Sequence, residues 1–197
     1  MNASDRPLGL RERKKARTRA AIQEHALRLF REQGYANTTV DQIAAAAEVS
    51  PATFFRYFPT KEDAALYDAL DPVMIDLFRA QPAELGPTEA LRRTLRESMT
   101  ALTPEQVRLE QARQELMFGT PELRARMLDQ FYEGIELLAG LAAERTGRKP
   151  DDFEIRTWAG AVVGVVTAVY LGKGGPMDEY LASLDSALDH LAAGLPL

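Results

Sequence analysis

Turn sequences rich in proline and glycine divide this chain into segments, and they constrain its fold more than any other feature. They stand at residues 86–88, 102–104, 119–121, 147–150 and 172–176. Proline is tolerated in the first turn of a helix, and glycine commonly follows the last turn. Between the breaks, apolar residues recur at helical spacing, and no segment shows the sustained alternation of a half-buried strand. The pattern predicts an all-α fold of about nine helices.

Capping residues help to set the predicted helix boundaries. Thr39 and Gln42 have the spacing of a capping box, and Ser50 followed by Pro51 is a favourable helix start. Proline at position 72 should break the fourth helix near Asp71. The predicted helices cover about residues 18–33, 40–47, 51–57, 60–71, 87–101, 104–118, 121–146, 152–172 and 178–193.

Composition excludes several classes of protein. The 197 residues include no cysteine, so disulfides, thiolate nucleophiles and cysteine-ligated metals are excluded, and a reducing cytoplasm is the expected location. The charged N-terminus does not resemble an export signal. The longest apolar run, residues 158–171, is shorter than the roughly 20 residues of a membrane-spanning helix, so no membrane partner is expected.

Charge is distributed unevenly along the chain. Residues 1–61 hold 11 Lys/Arg and 6 Asp/Glu, whereas residues 62–197 hold 13 and 23. A basic head on an acidic body favours binding of the head to a polyanion. The alternative is a solvated basic tail without a partner.

Residues 49–61, VSPATFFRYFPTK, contain four of the chain's 15 aromatic residues. At about 100° per residue, Phe54 and Phe58 share one face of a short helix, which predicts that both belong to a small core. The opposite face carries Ala52, Thr53 and Arg56, with Tyr57 at its flank. Phe55 lies between the two faces.

Two short helices joined by a three-residue turn describe a helix-turn-helix. Arg56 can present paired donors to guanine, and Thr53 can contact a base edge. Thr39, Tyr57 and Lys61 suit phosphate contacts. Idle solvated charges are the alternative for Arg56 and Lys61.

Residues from about 13 to 66 closely resemble the N-terminal domain of TetR-family transcriptional repressors. The resemblance rests on Phe30 to Tyr35, which reads FREQGY, and on Thr38 to Glu62, which reads TTVDQIAAAAEVSPATFFRYFPTKE. It implies a flexible basic arm at residues 1–12, a DNA-binding domain at 13–62 with its helix-turn-helix at about 38–57, and an effector-binding and dimerisation domain at 63–197. The expected DNA-binding residues are Arg17, Arg19, Thr39, Gln42, Pro51, Ala52, Thr53, Phe55, Arg56, Tyr57 and Lys61.

The family resemblance also implies a homodimer and a small-molecule effector. The last two long helices would pair with their copies through Ala161, Gly164, Ala168, Leu181, Leu184 and Leu188, although helices buried within one subunit show the same pattern. An apolar pocket for a lipophilic effector would be lined by Met99, Met117, Phe118, Met127, Phe131, Tyr132, Trp158 and Val162, each of which is also a plausible core residue.

The expected function is therefore a repressor that binds a palindromic DNA operator as a dimer and is released by an apolar effector. An activator or a repressor without a ligand response is the alternative. An enzyme or a helical small-molecule-binding protein is a remote alternative. Catalysis is disfavoured because the two histidines have no serine or cysteine partner in the sequence pattern. No metal or cofactor is expected.

Overall fold

The computed structural model describes residues 9–68, 71–172 and 177–196, and this part of the chain contains eleven α-helices and no strand. The prediction of an all-α fold is confirmed. The helices are α1 (Leu10–Gln33), α2 (Val40–Ala46), α3 (Pro51–Tyr57), α4 (Lys61–Leu66), α5 (Asp71–Ala80), α6 (Pro87–Thr100), α7 (Pro104–Gly119), α8 (Pro121–Ala125), α9 (Met127–Thr146), α10 (Phe153–Gly172) and α11 (Met177–Ala192).

The count exceeds nine because the helix predicted over 121–146 is divided in two, and because α5 covers residues for which no helix was predicted. The helix that begins after Thr60 ends at Leu66, since Tyr67 has an extended ψ of 122°. The next helix begins at Asp71, which places Pro72 in its first turn, where proline is tolerated. The helix predicted over 121–146 is interrupted at Arg126, whose ψ of −7° departs from helical geometry.

The first helix begins at Leu10 and not near Thr18 as predicted. Its early residues, LRERKKAR, are mostly strong helix formers. The helix therefore begins earlier than predicted, although the described side chains of its first two turns are exposed. The predicted flexible arm at 1–12 is therefore wrong for residues 10–12. Residues 1–8 lie outside the described part of the chain.

The chain forms two compact units. The first comprises the residues up to Asp68 together with Ala112–Arg124, and the second comprises Ala69–Gln111 and Ala125–Leu197. Large side chains from the first three helices and the segment after α3 fill the core of the first unit: Ile22, Phe30, Ile43, Phe54 and Phe58. The Phe54 and Phe58 rings lie 6.0 Å apart, so both form the small core as predicted.

The second unit is built from aliphatic and small residues. Its larger cluster joins α5, α6, α9, α10 and α11 through Phe78, Ala90, Leu91, Leu141, Val162, Leu184 and Leu188. A smaller cluster joins α9 and α10 through Ala139, Ala142, Ala143, Ile155 and Ala159. Among the described residues, no helix is long and apolar enough to cross a membrane.

This core corrects two predicted dimer contacts. Leu184 and Leu188 are only 3% and 0% exposed, because the apolar stripe of α11 packs against its own protomer. Leu181 is half-buried, whereas Gly164 and Ala168 are exposed on α10. The predicted interface therefore loses two leucines and keeps the small residues of α10.

Candidate nucleic-acid interface

Helix α2 begins with the capping box predicted from the sequence. The Thr39 hydroxyl accepts a hydrogen bond from the Gln42 amide at 3.2 Å, and Gln42 Oε1 accepts one from the Thr39 amide at 2.8 Å. The Gln33 side chain also donates to Gln42 Oε1 at 3.0 Å. These bonds satisfy donors that a helix N-terminus leaves unpaired, and they hold two exposed polar side chains at the start of the helix.

Helix α3 is fixed at both ends. The Ser50 hydroxyl accepts from the Thr53 amide at 3.1 Å and donates to the Thr53 hydroxyl at 3.0 Å, while Pro51 occupies the first turn. At the other end, the Phe58 amide donates to the carbonyl of Phe54 at 2.9 Å. A seven-residue helix is marginal by itself, so the caps and the buried Phe54 hold it in place.

The outward face of α3 carries the side chains expected to contact DNA. Pro51, Ala52 and Arg56 are exposed, and Thr53 and Tyr57 are half-buried. The Arg56 guanidinium lies 5.5 Å from the Tyr57 ring centre, within the range of a cation–π contact.

Phe55 is 52% exposed, and its ring meets Phe54 edge-on at 5.6 Å. The sequence left this residue between the core and the outward face. The structure places it on the outward face, with one edge resting on the core.

Lys61 is less free than the sequence suggested. Its Nζ donates to the carbonyls of Tyr35 and Thr38 at 2.9 and 3.2 Å and lies 4.2 Å from the Tyr35 ring centre. The ammonium therefore ties the start of α4 to the loop between α1 and α2.

The Tyr35 hydroxyl completes this arrangement by donating to the Glu62 carboxylate. Burial opposes ionisation of Glu62, but the hydrogen bonds from Tyr35, the backbone and Thr60, together with the charge of Lys61, outweigh it and lower its pKa. A phosphate contact by Lys61 remains a prediction.

The two arginines expected to bind DNA from the N-terminal part of the chain both lie on α1, but their environments differ. Arg17 is exposed, whereas Arg19 is half-buried. The Arg19 guanidinium lies 4.9 Å from the ring centre of Tyr67, 5.8 Å from that of Phe58 and 6.0 Å from that of Tyr57. Arg19 thus stacks inside the unit, against aromatic rings at the ends of α3 and α4.

One buried cation of this unit was missed by the sequence reasoning. Arg113 of α7 is largely buried, donates to the carbonyl of Leu66 at 3.1 Å and pairs with Asp68 at 3.1 Å. The Gln23 side chain donates to the Tyr67 carbonyl. These contacts satisfy carbonyls at the end of α4. A lone arginine in a charged helix gave no sequence signal for this role.

The two capped short helices, joined by a tight turn and carrying an outward basic face, define a helix-turn-helix DNA-binding protein. Comparison with known proteins specifies the family. Residues 22–68 match the family model described as "Bacterial regulatory proteins, tetR family", and residues 85–196 match that of the "MftR C-terminal domain". The chain belongs to the TetR family of transcriptional regulators, and it is not an enzyme.

Individual relatives are similar to this chain over most of its length. The HTH-type transcriptional regulator TcmR of Streptomyces glaucescens is 35% identical over an alignment 199 residues long. The alignment covers 93% of this chain and 86% of the relative. The structure of Thermus thermophilus FadR, a TetR-family repressor in complex with lauroyl-CoA, is 25% identical with a TM-score of 0.58, and the match covers 91% of this chain and 95% of that one. The Bacillus halodurans fatty acid degradation regulator FadR is 21% identical, with a TM-score of 0.56 and coverage of 90% and 96%.

The residues predicted to line an effector pocket occupy different environments. Val162 is buried in the second unit's core, and Trp158 is half-buried, with its indole nitrogen donating to the Thr88 hydroxyl at 2.9 Å. Tyr132 is 62% exposed, which makes it a surface residue of α9 in the described protomer. Half-buried positions are occupied by Met117 and Phe118 in the first unit and by Met127 and Phe131 in the second. The side chain of Met99 lies outside the described part of the chain.

Among the described residues, no group of three or more histidine, aspartate or glutamate side chains has the arrangement of a metal site. Several acidic side chains of the second unit pair with arginines of neighbouring helices. Arg79 pairs with Glu144 and Arg156 with Glu136, at 2.9 and 2.7 Å. These acids stabilise contacts between helices.

Proposed function

We propose that the protein represses transcription by binding a palindromic operator as a homodimer, and that a small apolar effector releases it. The outward face of α3 carries this proposal. Arg56 and Phe55 project from a helix whose other face is held by buried Phe54, so the helix that carries them is formed before DNA arrives. A preformed helix loses less conformational entropy on binding than a segment that must fold.

A homodimer is supported by the outward face of α10. Apart from Glu154 in its first turn, its exposed residues recur at helical spacing and are small or apolar: Phe153, Thr157, Gly164, Ala168 and Leu171. Small side chains allow two helices to approach closely, and the exposed Phe153 and Leu171 at the two ends gain from burial. A two-fold axis through such an interface would present two α3 helices to two half-sites, and hence favours a palindromic operator.

The effector class is inferred from a relative of known structure and from the apolar character of the residues predicted to line the pocket. The Thermus thermophilus FadR structure contains lauroyl-CoA, and this chain is 25% identical to it. An effector with a similar aliphatic chain would act by population shift, because a ligand that binds more tightly to the conformation unable to bind DNA lowers operator affinity.

The function can be tested with DNA selected by the protein itself. Operators would be selected from random duplexes, and affinities measured by fluorescence anisotropy at several salt concentrations. Affinity should fall steeply with salt, because phosphate contacts release counterions. Arg56→Ala should reduce discrimination between selected and mismatched duplexes by about tenfold to a hundredfold.

Arg31→Ala is the matched control, because Arg31 is an exposed arginine on α1 outside the predicted interface. It should leave discrimination unchanged. Equal effects of the two substitutions would contradict base readout by Arg56. Titration of the operator complex with lauroyl-CoA and with other acyl compounds should release DNA. Operator binding that persists throughout would favour a regulator without this ligand response.

A further inference from the structure

A groove in the second unit runs between α6 and α11 and has a volume of about 390 Å³. This volume lies at the lower end of the range of roughly 300–1,000 Å³ typical of small-molecule sites. None of the residues predicted to line the effector pocket lies in it. Its walls are formed by Arg92, Leu95, Arg96, Thr100, Leu181, Leu184 and Asp185.

Most of the surface that the groove presents is hydrocarbon. Leu184, which is almost fully buried, supplies the floor, and the half-buried Leu95 and Leu181 supply the walls from α6 and α11. Apolar surface that stays in contact with water is costly, and an aliphatic chain placed along these leucines would remove it from water.

The polar groups of the groove are two arginines that share one carboxylate. Arg92 donates to both oxygens of Asp185, at 3.0 and 3.3 Å, and Nη2 of Arg96 lies 2.8 Å from each of them. Both guanidiniums lower the pKa of Asp185, so its carboxyl is ionised at neutral pH. Two arginines and one aspartate line the groove, and the other two carboxylates that pair with Arg92, those of Glu89 and Asp189, lie outside its lining.

The two arginines differ in how firmly they are held. The Arg92 side chain is only 18% exposed and is held by Glu89, Asp185 and Asp189. Arg96 is 53% exposed, and within the described residues its Nε and Nη1 form no hydrogen bond. Arg96 is therefore the one with donors available, and Asp185 would keep Arg92 as a partner if Arg96 turned to a ligand.

We propose that this groove binds an aliphatic carboxylate, with its chain along Leu95, Leu181 and Leu184 and its carboxylate paired with Arg96. A guanidinium matches a carboxylate with two parallel hydrogen bonds, which are stronger than bonds between neutral groups. An aliphatic cation would be repelled by the Arg96 guanidinium, and an uncharged chain would form no charge-assisted pair with it. The proposal concerns the second unit alone and does not depend on DNA binding.

The test uses the full-length protein and sodium octanoate, an aliphatic carboxylate short enough to remain dissolved as single molecules. Isothermal titration calorimetry would compare octanoate with octan-1-ol and with octyltrimethylammonium, which share its chain but differ in charge. Octanoate should bind most tightly and the cation least. Equal affinities for the three compounds, or no binding of octanoate, would overturn the proposal.

Three variants locate the binding. Arg96→Gln should weaken octanoate binding by about tenfold or more, since it removes a charge-assisted pair, and should leave octan-1-ol binding nearly unchanged. Leu181→Trp, which fills the groove, should abolish the binding of both. Arg93→Gln is the control, because Arg93 is the exposed arginine next to Arg92 on α6, pairs with Glu89 and does not line the groove.

The outcomes are separable from those of the operator experiment, because no DNA is present. If Leu181→Trp does not fold by circular dichroism, Thr100→Trp fills the groove from an exposed position. Octanoate binding that survives filling of the groove, or that weakens equally in Arg93→Gln and Arg96→Gln, would refute the assignment.

Discussion

Helix α3 of the first unit and helix α11 of the second each have a buried face and an outward face. The two helices differ in how strongly the chemistry of one face contrasts with that of the other. On α3 the two faces differ in chemistry, with Phe54 inward and Arg56 outward. On α11 the buried Leu184 and Leu188 lie on a helix whose exposed face also carries small apolar residues such as Ala182. A helical wheel correctly identifies the buried face of α3. For α11, the packing partner of the leucines can be identified only once the neighbouring helices are known.

This difference shows that amphipathic pattern identifies what is buried but not the element that buries it. The leucines of α11 have the pattern expected either of a protomer core or of a dimer interface. Within the protomer, α6 and α10 cover this stripe, so Leu184 and Leu188 cannot also face a partner. Gly164 and Ala168 of α10 are exposed in the protomer and remain available to a partner.

The largest expected effect distinguishes the two adjacent phenylalanines of α3. Phe54→Ala should lower the free energy of unfolding by about 3–5 kcal/mol, because Phe54 is fully buried against Phe58. Phe55→Ala should cost about 1 kcal/mol or less, since only its edge contact with Phe54 is lost. Urea denaturation followed by circular dichroism measures both.

Of the same two substitutions, Phe55→Ala should be the more informative about DNA binding. Phe55→Ala should weaken operator binding while the protein remains folded, because the ring is exposed beside Arg56. If Phe55→Ala destabilises the protein as much as Phe54→Ala, then α3 does not divide its residues as described.

The next effect tests the corrected assignment of α11 and α10. Leu188→Ala should cost about 2–5 kcal/mol of unfolding free energy, because it leaves a cavity among Leu91, Val162 and Leu184. Ala168→Glu should have little effect on the folding of the protomer, because Ala168 is exposed. It should instead weaken self-association by placing two like charges across the proposed two-fold axis.

Sedimentation velocity over a range of protein concentrations measures this self-association. The proposed α10 interface fails if Ala168→Glu associates as tightly as the unaltered protein.

Sequence alone predicted the caps of the short helices and the two faces of α3, because local chemistry defines them. Thr39, Ser50 and Thr60 cap their helices through bonds that span three residues, so the capping signal and the capping contact lie in the same short segment. The wheel then placed Phe54 in the core and Arg56 outside.

Where the outcome depended on distant residues, the sequence was less informative. Lys61 donates to the carbonyls of Tyr35 and Thr38, and Arg19 stacks on Tyr67. Neither contact can be deduced from a basic residue's own neighbours, so both residues looked like free cations. The groove shows the same limit. Arg92 and Arg96 are four residues apart, as are Asp185 and Asp189, but only the packing of α6 on α11 reveals that these pairs meet.

The smallest expected effect concerns the ion pairs of this second region and depends on pH. Hydrogen bonds from Arg92 and Arg96 lower the pKa of Asp185 in the folded protein. A lowered folded-state pKa contributes stability that is present above the unfolded value, near 3.9, and is lost as pH falls through the folded value. Asp185→Asn should therefore reduce the urea midpoint at pH 7, and its difference from the unaltered protein should shrink below about pH 4.

Asp189→Asn is the comparison, because Asp189 is more exposed and accepts one bond from Arg92. It should shift the midpoint less at pH 7, since exposed pairs contribute little. A difference for Asp185→Asn that stayed constant from pH 7 to pH 3 would indicate that packing of the side chain matters and its charge does not. The junction of α6 and α11 would then resemble the core of the first unit, which apolar packing holds together.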